Sequence, residues 1–105
     1  MTASVEQCIM AVAQVFGISV SELLGRERNQ CVSHPRQAAM SLARFHAGGT
    51  YEAIGLAFGG RDHRTIMHGV SAAEARRERD EDFADMMQRA CTILPDMPLK
   101  PRKGN

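Results

Sequence analysis

The chain has 105 residues, of which 44% are hydrophobic and 5% are aromatic, so it is long enough for one domain with a modest core. Its formal net charge is +1, and no apolar run approaches membrane-spanning length, which excludes a membrane-spanning protein. The first residues have neither a basic nor an apolar export signal, so we expect a cytoplasmic protein. The three cysteines, at positions 8, 31 and 91, form no CxxC pair, and we expect reduced thiols and no metal site.

The charge is unevenly distributed along the chain. Between Arg26 and Arg77, eight arginines accompany four acidic residues, a balance of +4, and all four histidines lie in the same span. From Glu78 to Asp96 the balance is −4, because six acidic residues accompany two arginines. This basic middle predicts a face that binds a polyanion, although evenly solvated charge is the alternative interpretation.

Apolar residues recur at helical spacing, which predicts an all-α domain of five or six helices over residues 1–95. Prolines and basic residues predict a disordered tail over 96–105. In the first part of the chain, Ser4 is expected to cap a helix that ends at Phe16 before Gly17. A short helical turn over 19–25 and a basic loop over 26–32 are expected to follow.

The second half of the chain is predicted to hold four more helices. One opens near Ser33 with Pro35 close to its first position, and others are expected over 51–58, from Asp62 to Arg79, and from Asp82 to Ile93. The side chains expected to face the core are Ala38, Ala39, Leu42, Ala43, Phe45, Ile66, Val70, Ala73, Phe83, Met86, Met87, Ala90 and Leu94.

Two of these predicted helices have the layout of a helix-turn-helix motif. A short helix capped by Thr50 leads into Gly59 and Gly60, which can adopt positive φ, and Asp62 caps the longer helix that follows. Gly55 weakens the first helix, and we expect that it permits close approach of the second. In such motifs the first turn of the second helix contacts DNA bases.

The wider segment resembles a known family. His34-Pro35-Arg36-Gln37-Ala38-Ala39-Met40, Ala53-Ile54-Gly55 and Ala57-Phe58-Gly59-Gly60-Arg61-Asp62-His63 closely resemble the C-terminal DNA-binding domain of the bacterial replication initiator DnaA. The resemblance covers about Val5 to Ile93. It implies a DnaA C-terminal-domain-like (TrpR-like) fold that binds double-stranded DNA. No GxxxxGK[ST] loop is present, so we expect no nucleotide, no cofactor and no catalytic residues.

The resemblance also implies roles for individual residues. By position, the DNA base contacts fall on Asp62, His63, Arg64 and Thr65, and a minor-groove contact falls on His34. Contacts to the DNA backbone are expected from Arg36, Gln37, Arg61, Arg44 and Arg28, with Arg26 as a further candidate in the basic loop. Asp62 can also be a plain helix cap, Arg36 and Gln37 can be solvated, and Arg61 can be a helix-stabilising ion partner.

Two departures from the family bear on the DNA sequence that is recognised. The family usually has Arg at the position of His34 and Thr at the position of Arg64. A neutral His weakens attraction to a narrow A·T-rich minor groove, and a guanidinium disfavours contact with thymine. The target is therefore expected to be a variant of the initiator's A·T-rich box, or the specificity is relaxed. Glu52 is an acidic residue expected near the DNA phosphates.

These observations support two functional hypotheses. The first is a sequence-specific DNA-binding protein that regulates transcription or modulates replication initiation. The alternative is a protein interaction module that keeps the fold, binds DNA weakly and uses the acidic 78–85 segment or the Met86-Met87 pair. Oligomeric state, and the choice among activation, repression and replication control, stay open.

Overall fold

The computed structural model describes residues 3–94, which fold into six α-helices without a strand. The helices are α1 (Val5–Phe16), α2 (Val20–Leu24), α3 (Gln30–Phe45), α4 (Tyr51–Ala57), α5 (His63–Arg79) and α6 (Glu81–Ile93). The predicted all-α class is confirmed. The tail predicted over 96–105 lies outside the described residues. Within 3–94, no helix has the length and apolar character needed to cross a membrane.

Local capping signals set most of the helix ends. The Ser4 hydroxyl accepts a hydrogen bond from the Gln7 backbone N–H at 3.1 Å, and the Ser4 N–H donates to the Gln7 side chain at 2.7 Å. This reciprocal pair satisfies two N–H groups that the first turn of α1 leaves unbonded. Gly17 ends α1 in the left-handed conformation with φ of 71°. Both ends of α1 are as the sequence predicts.

The start of α3 differs from the prediction. The helix begins at Gln30, after Asn29, so the predicted loop over 26–32 is shorter and Pro35 lies inside α3 and not at its first position. Val32, which was expected in the loop, is buried. Burial of this side chain favours the extra turn, and a proline this close to the helix start removes only one intrahelical hydrogen bond.

The core lies between α1, α3, α5 and α6, with α4 packed on α5 and α2 on α3. Phe58, Leu23, Ile54 and Ile66 are its largest fully buried side chains. Two predicted core residues do not belong to it: Phe45 is 62% exposed and Met86 is only partly buried, whereas Met87 is buried. The methionine pair therefore offers no continuous surface for a partner, because Met87 is part of the core.

The last helix begins slightly earlier than predicted. Asp80 ends α5 and also caps α6, since its carboxylate accepts a hydrogen bond from the Phe83 N–H at 3.1 Å. Phe83 then packs edge-on against Phe16 of α1, with 6.0 Å between the ring centroids. This contact joins the last helix to the first.

Candidate nucleic-acid interface

The turn between α4 and α5 depends on the absence of a side chain at Gly55. The Gly55 carbonyl accepts hydrogen bonds from the N–H groups of Gly60, at 3.0 Å, and Arg61, at 2.9 Å. A Cβ at Gly55 would approach the Arg61 carbonyl oxygen closer than 3.0 Å, a separation that Cβ atoms essentially never show. Gly59 and Gly60 both have φ of 83°, as expected for this turn. The sequence predicts a close approach to the second helix itself, but the approach that Gly55 permits is to Arg61 in the turn.

The first turn of α5 presents its side chains to solvent. Asp62 is the N-cap, and its Oδ1 accepts a hydrogen bond from the Arg64 N–H at 2.7 Å. His63 Nδ1 lies 3.6 Å from the same carboxylate, and both side chains are largely exposed. Arg64 and Thr65 are also exposed. Asp62 therefore fixes the start of α5 while its neighbours stay accessible to a ligand.

A basic groove of about 600 Å³ runs beside this turn, between the α2–α3 loop, α3 and α5. Five of the predicted contact residues line this groove, and so does Arg26. The side chains that line it belong to Arg26, Arg28, Ser33, Arg36, Gln37, Met40, Arg61, Thr65, His68, Gly69 and Ala72. The lining contains four arginines and no acidic residue, so this concave surface attracts a polyanion.

Arg36 forms the floor of the groove. The alternative interpretation, that Arg36 is a solvated surface residue, is wrong. Its side chain is buried. The guanidinium donates hydrogen bonds to the carbonyls of Leu23, at 2.7 Å, Glu27, at 2.7 Å, and Glu22, at 3.1 Å. Burial lowers the pKa of Arg36, and Glu27 partly opposes this shift. Arg36 still carries its charge at neutral pH, because an arginine does not deprotonate there.

Arg61, like Arg36, donates hydrogen bonds to the end of α2. Its guanidinium donates to the carbonyls of Leu24, at 3.3 Å, Phe58, at 2.8 Å, and Gly25. Burial lowers the pKa of Arg61, and the nearby charges of Arg36 and Arg26 lower it further. Arg61 thus stabilises the ends of α2 and α4 through their carbonyls and not as the ion partner of the alternative interpretation.

Two predicted contact residues lie away from the basic groove. Arg44 donates to the Gly49 carbonyl at 3.1 Å and stacks over the Tyr51 ring at 4.5 Å from its centroid. His34 is half-buried on α3, and its pKa is lowered first by burial and then by the charge of Arg76. Its contact with DNA and that of Arg44 stay predictions.

Sequence reasoning did not assign five residues of the lining to the site, and His68 and Gly69 are the informative ones. His68 lines it one turn beyond Arg64 and Thr65, and Gly69 lets α5 approach α3. A Cβ at Gly69 would come closer than 3.0 Å to the sulfur of Met40. A glycine in the middle of a long helix is the signal that could have identified this approach, because glycine costs helix stability without such a reason.

The cysteines lie apart from the groove. Cys8 is buried, Cys31 is exposed, and Cys91 Sγ lies 3.3 Å from His46 Nε2. Burial raises the pKa of Cys8 to about 12, with smaller contributions from Cys91 and Glu6, so its thiol stays protonated. Burial also raises the pKa of Cys91. Among residues 3–94, no group of three or more His, Cys, Asp or Glu side chains has a geometry that could hold a metal ion.

Comparison with known proteins shows the family of this chain. Residues 5–72 match the family described as bacterial dnaA protein helix-turn-helix. Over 91 residues the chain is 41% identical to the chromosomal replication initiator protein DnaA of Acinetobacter baumannii, which covers 83% of this chain and 20% of that protein. The protein of the same name from Neisseria meningitidis is 38% identical over 86 residues, which cover 82% of this chain and 17% of the relative.

The chain spans about a fifth of the length of these relatives. The family match over residues 5–72 includes α1 to α4 and the first part of α5, and therefore the basic groove and the exposed turn. The predicted resemblance is confirmed: the chain belongs to the family of bacterial DnaA helix-turn-helix domains.

Proposed function

We propose that the protein binds double-stranded DNA sequence-specifically and acts as a transcriptional regulator or as a modulator of replication initiation. The observation that carries this proposal is the exposed first turn of α5 lying directly beside a groove lined by four arginines. A helix-turn-helix protein needs both parts: side chains that read base edges, and cations that hold the phosphates.

Base reading is assigned to the exposed start of α5. Asp62 can accept a hydrogen bond from a cytosine amino group, His63 can donate to a purine acceptor, and Arg64 favours guanine. Thr65, which the resemblance places among the base contacts, lines the basic groove, so we assign its hydroxyl to a phosphate instead. Because Arg64 stands where the family usually has Thr, we propose that the target is a variant of the initiator's A·T-rich box.

Backbone binding is assigned to the exposed side chains of the groove. Arg26 and Arg28 are exposed, and Gln37 is partly exposed. Arg36 and Arg61 already bond backbone carbonyls, so they fix the groove's shape and add positive charge beneath the phosphates. The proposal does not depend on His34 or Arg44, whose contacts are supported by resemblance and charge alone.

Selection of binding sites from a random duplex library, followed by fluorescence anisotropy at about 0.15 M salt, tests the proposal. We expect one motif to be bound at least about a thousandfold more tightly than a scrambled duplex. Arg64→Ala should relax the preference at one base pair. Arg28→Ala should weaken binding to all sequences and lower the slope of log K against log salt by about one.

Arg89→Ala is the matched control for both variants. Arg89 is an exposed arginine of α6 that pairs with Asp85 at 3.0 Å and is outside the groove lining. Its removal changes the net charge as the other substitutions do, and it should leave affinity and salt slope nearly unchanged. Weak binding that is blind to sequence in the unaltered protein would contradict the proposal.

A further inference from the structure

The exposed surface of α5 has two sides. With 3.6 residues per turn, Thr65, His68 and Ala72 fall on one side, and all three line the basic groove. The other side is formed by residues that are all exposed, and we call it the reading stripe: His63, Arg64, Met67 and Ser71. Because two predicted base-contact residues begin this stripe, the rest of it lies where the helix would face the floor of a major groove.

Met67 is the one apolar side chain on the reading stripe. It is 45% exposed. Among residues 3–94, the other large apolar side chains with at least this exposure are Phe45 on α3 and Leu56 on α4. Around the axis of α5, Met67 lies about 40° from His63 and about 60° from Arg64, between the two. It is about 6 Å further along the helix than His63.

The major groove offers one matching apolar group. The C5-methyl of thymine is the feature there that an apolar side chain contacts, and the remaining base-edge groups are hydrogen-bond donors and acceptors. Neither neighbour supplies such a contact, because Arg64 carries a guanidinium and Thr65 faces the basic groove. The Met67 side chain is long and flexible, so it can follow the position of a methyl group.

We propose that Met67 is a specificity-determining residue that reads the C5-methyl of one thymine in the target. This inference rests on the proposed function, since it needs duplex DNA against the reading stripe. It also gives a reason for the exposure of Met67 beyond the general tolerance of single apolar residues at protein surfaces.

The test uses the full chain and the duplex that wins the selection. Each thymine is replaced in turn by deoxyuridine, which removes only the methyl group. Burying one methyl corresponds to about fourfold in affinity. We expect the unaltered protein to lose about this factor at one position, and Met67→Gln, which keeps the length of the side chain, to lose nothing there.

Two further variants complete the experiment. Met67→Leu should keep the thymine preference, and Leu56→Gln, which removes an apolar side chain from α4, should keep it as well. Far-UV circular dichroism and thermal melting show whether each variant is folded. The inference is overturned if deoxyuridine has no effect at any position, or if the effect is the same in the unaltered protein and Met67→Gln. Binding of the unaltered protein to the thymine duplex is measured first. Absence of specific binding in that measurement overturns the proposed function as well, and it is thereby distinguished from failure of the Met67 inference alone.

Discussion

The hydrogen bonds of Arg36 predict that this arginine stabilises the fold as well as carrying charge. Arg36→Ala removes three bonds and leaves the buried Leu23 carbonyl without its donor, while the carbonyls of Glu22 and Glu27 are only partly buried and can be hydrated. An unsatisfied buried carbonyl costs about 1–3 kcal/mol, and each bond to a charged group contributes a similar amount. We expect a loss of about 2–4 kcal/mol in the free energy of unfolding.

Urea titration followed by far-UV circular dichroism measures this loss. For a domain of this size, it also corresponds to a decrease in melting temperature of roughly 10–30 °C. Arg36→Lys separates charge from geometry: it keeps the positive charge, but one ammonium cannot replace a planar guanidinium on three carbonyls. We therefore expect Arg36→Lys to lose more than half as much stability as Arg36→Ala.

Arg28→Ala is the control, because Arg28 lines the same groove and is exposed. Its effect on unfolding should stay within about 0.5 kcal/mol. If both Arg36 variants also stay within that range, the carbonyl bonds do not stabilise the fold and the reasoning is refuted.

Three other predictions follow from the close approaches and the cysteines. Gly55→Ala should lower the free energy of unfolding by about 2 kcal/mol or more, because backbone atoms block the new methyl group. Gly69→Ala should lower it by less than half of that amount, because the Met40 side chain can move. Thermal melting compares the two variants. At pH 8, iodoacetamide should alkylate the exposed Cys31 readily and Cys8 only on unfolding, which peptide mapping would show. Between pH 9 and about 12, the unfolded chain loses the Cys8 proton while the folded chain keeps it, so stability should fall with rising pH. At pH 10 the free energy of unfolding of the unaltered protein should have fallen by about 1 kcal/mol more than that of Cys8→Ala. Equal pH profiles for the two proteins would contradict this.

Sequence signals predicted well what depends on neighbouring residues. The caps at Ser4, Thr50 and Asp62 and the double-glycine turn all lie where the local pattern places them. Each depends on a side chain or a φ angle within a few residues of the helix end, so a single stretch of sequence contains the whole signal.

The parts that sequence did not reveal depend on distant residues. Arg36 bonds Leu23, 13 positions away, and Arg61 bonds Leu24, 37 positions away. A basic residue near a DNA-binding motif has the same local pattern whether it faces phosphate or backbone carbonyls. Phe45 shows the same limit. Its place in the helical pattern of apolar residues predicts burial, but the way the other helices pack leaves it exposed.

The five-residue helix α2 illustrates how a short element can share the rigidity of a whole domain. A helix of this length does not persist alone, because nucleation is unfavourable and few hydrogen bonds follow it. Here, guanidinium groups from two other elements hold its terminal carbonyls. Its amide protons should therefore exchange with solvent only when those elements also open, so that α2, α3 and the turn between α4 and α5 form one cooperative unit. A DNA-binding surface built in this way is ordered before DNA arrives and loses little conformational entropy on binding.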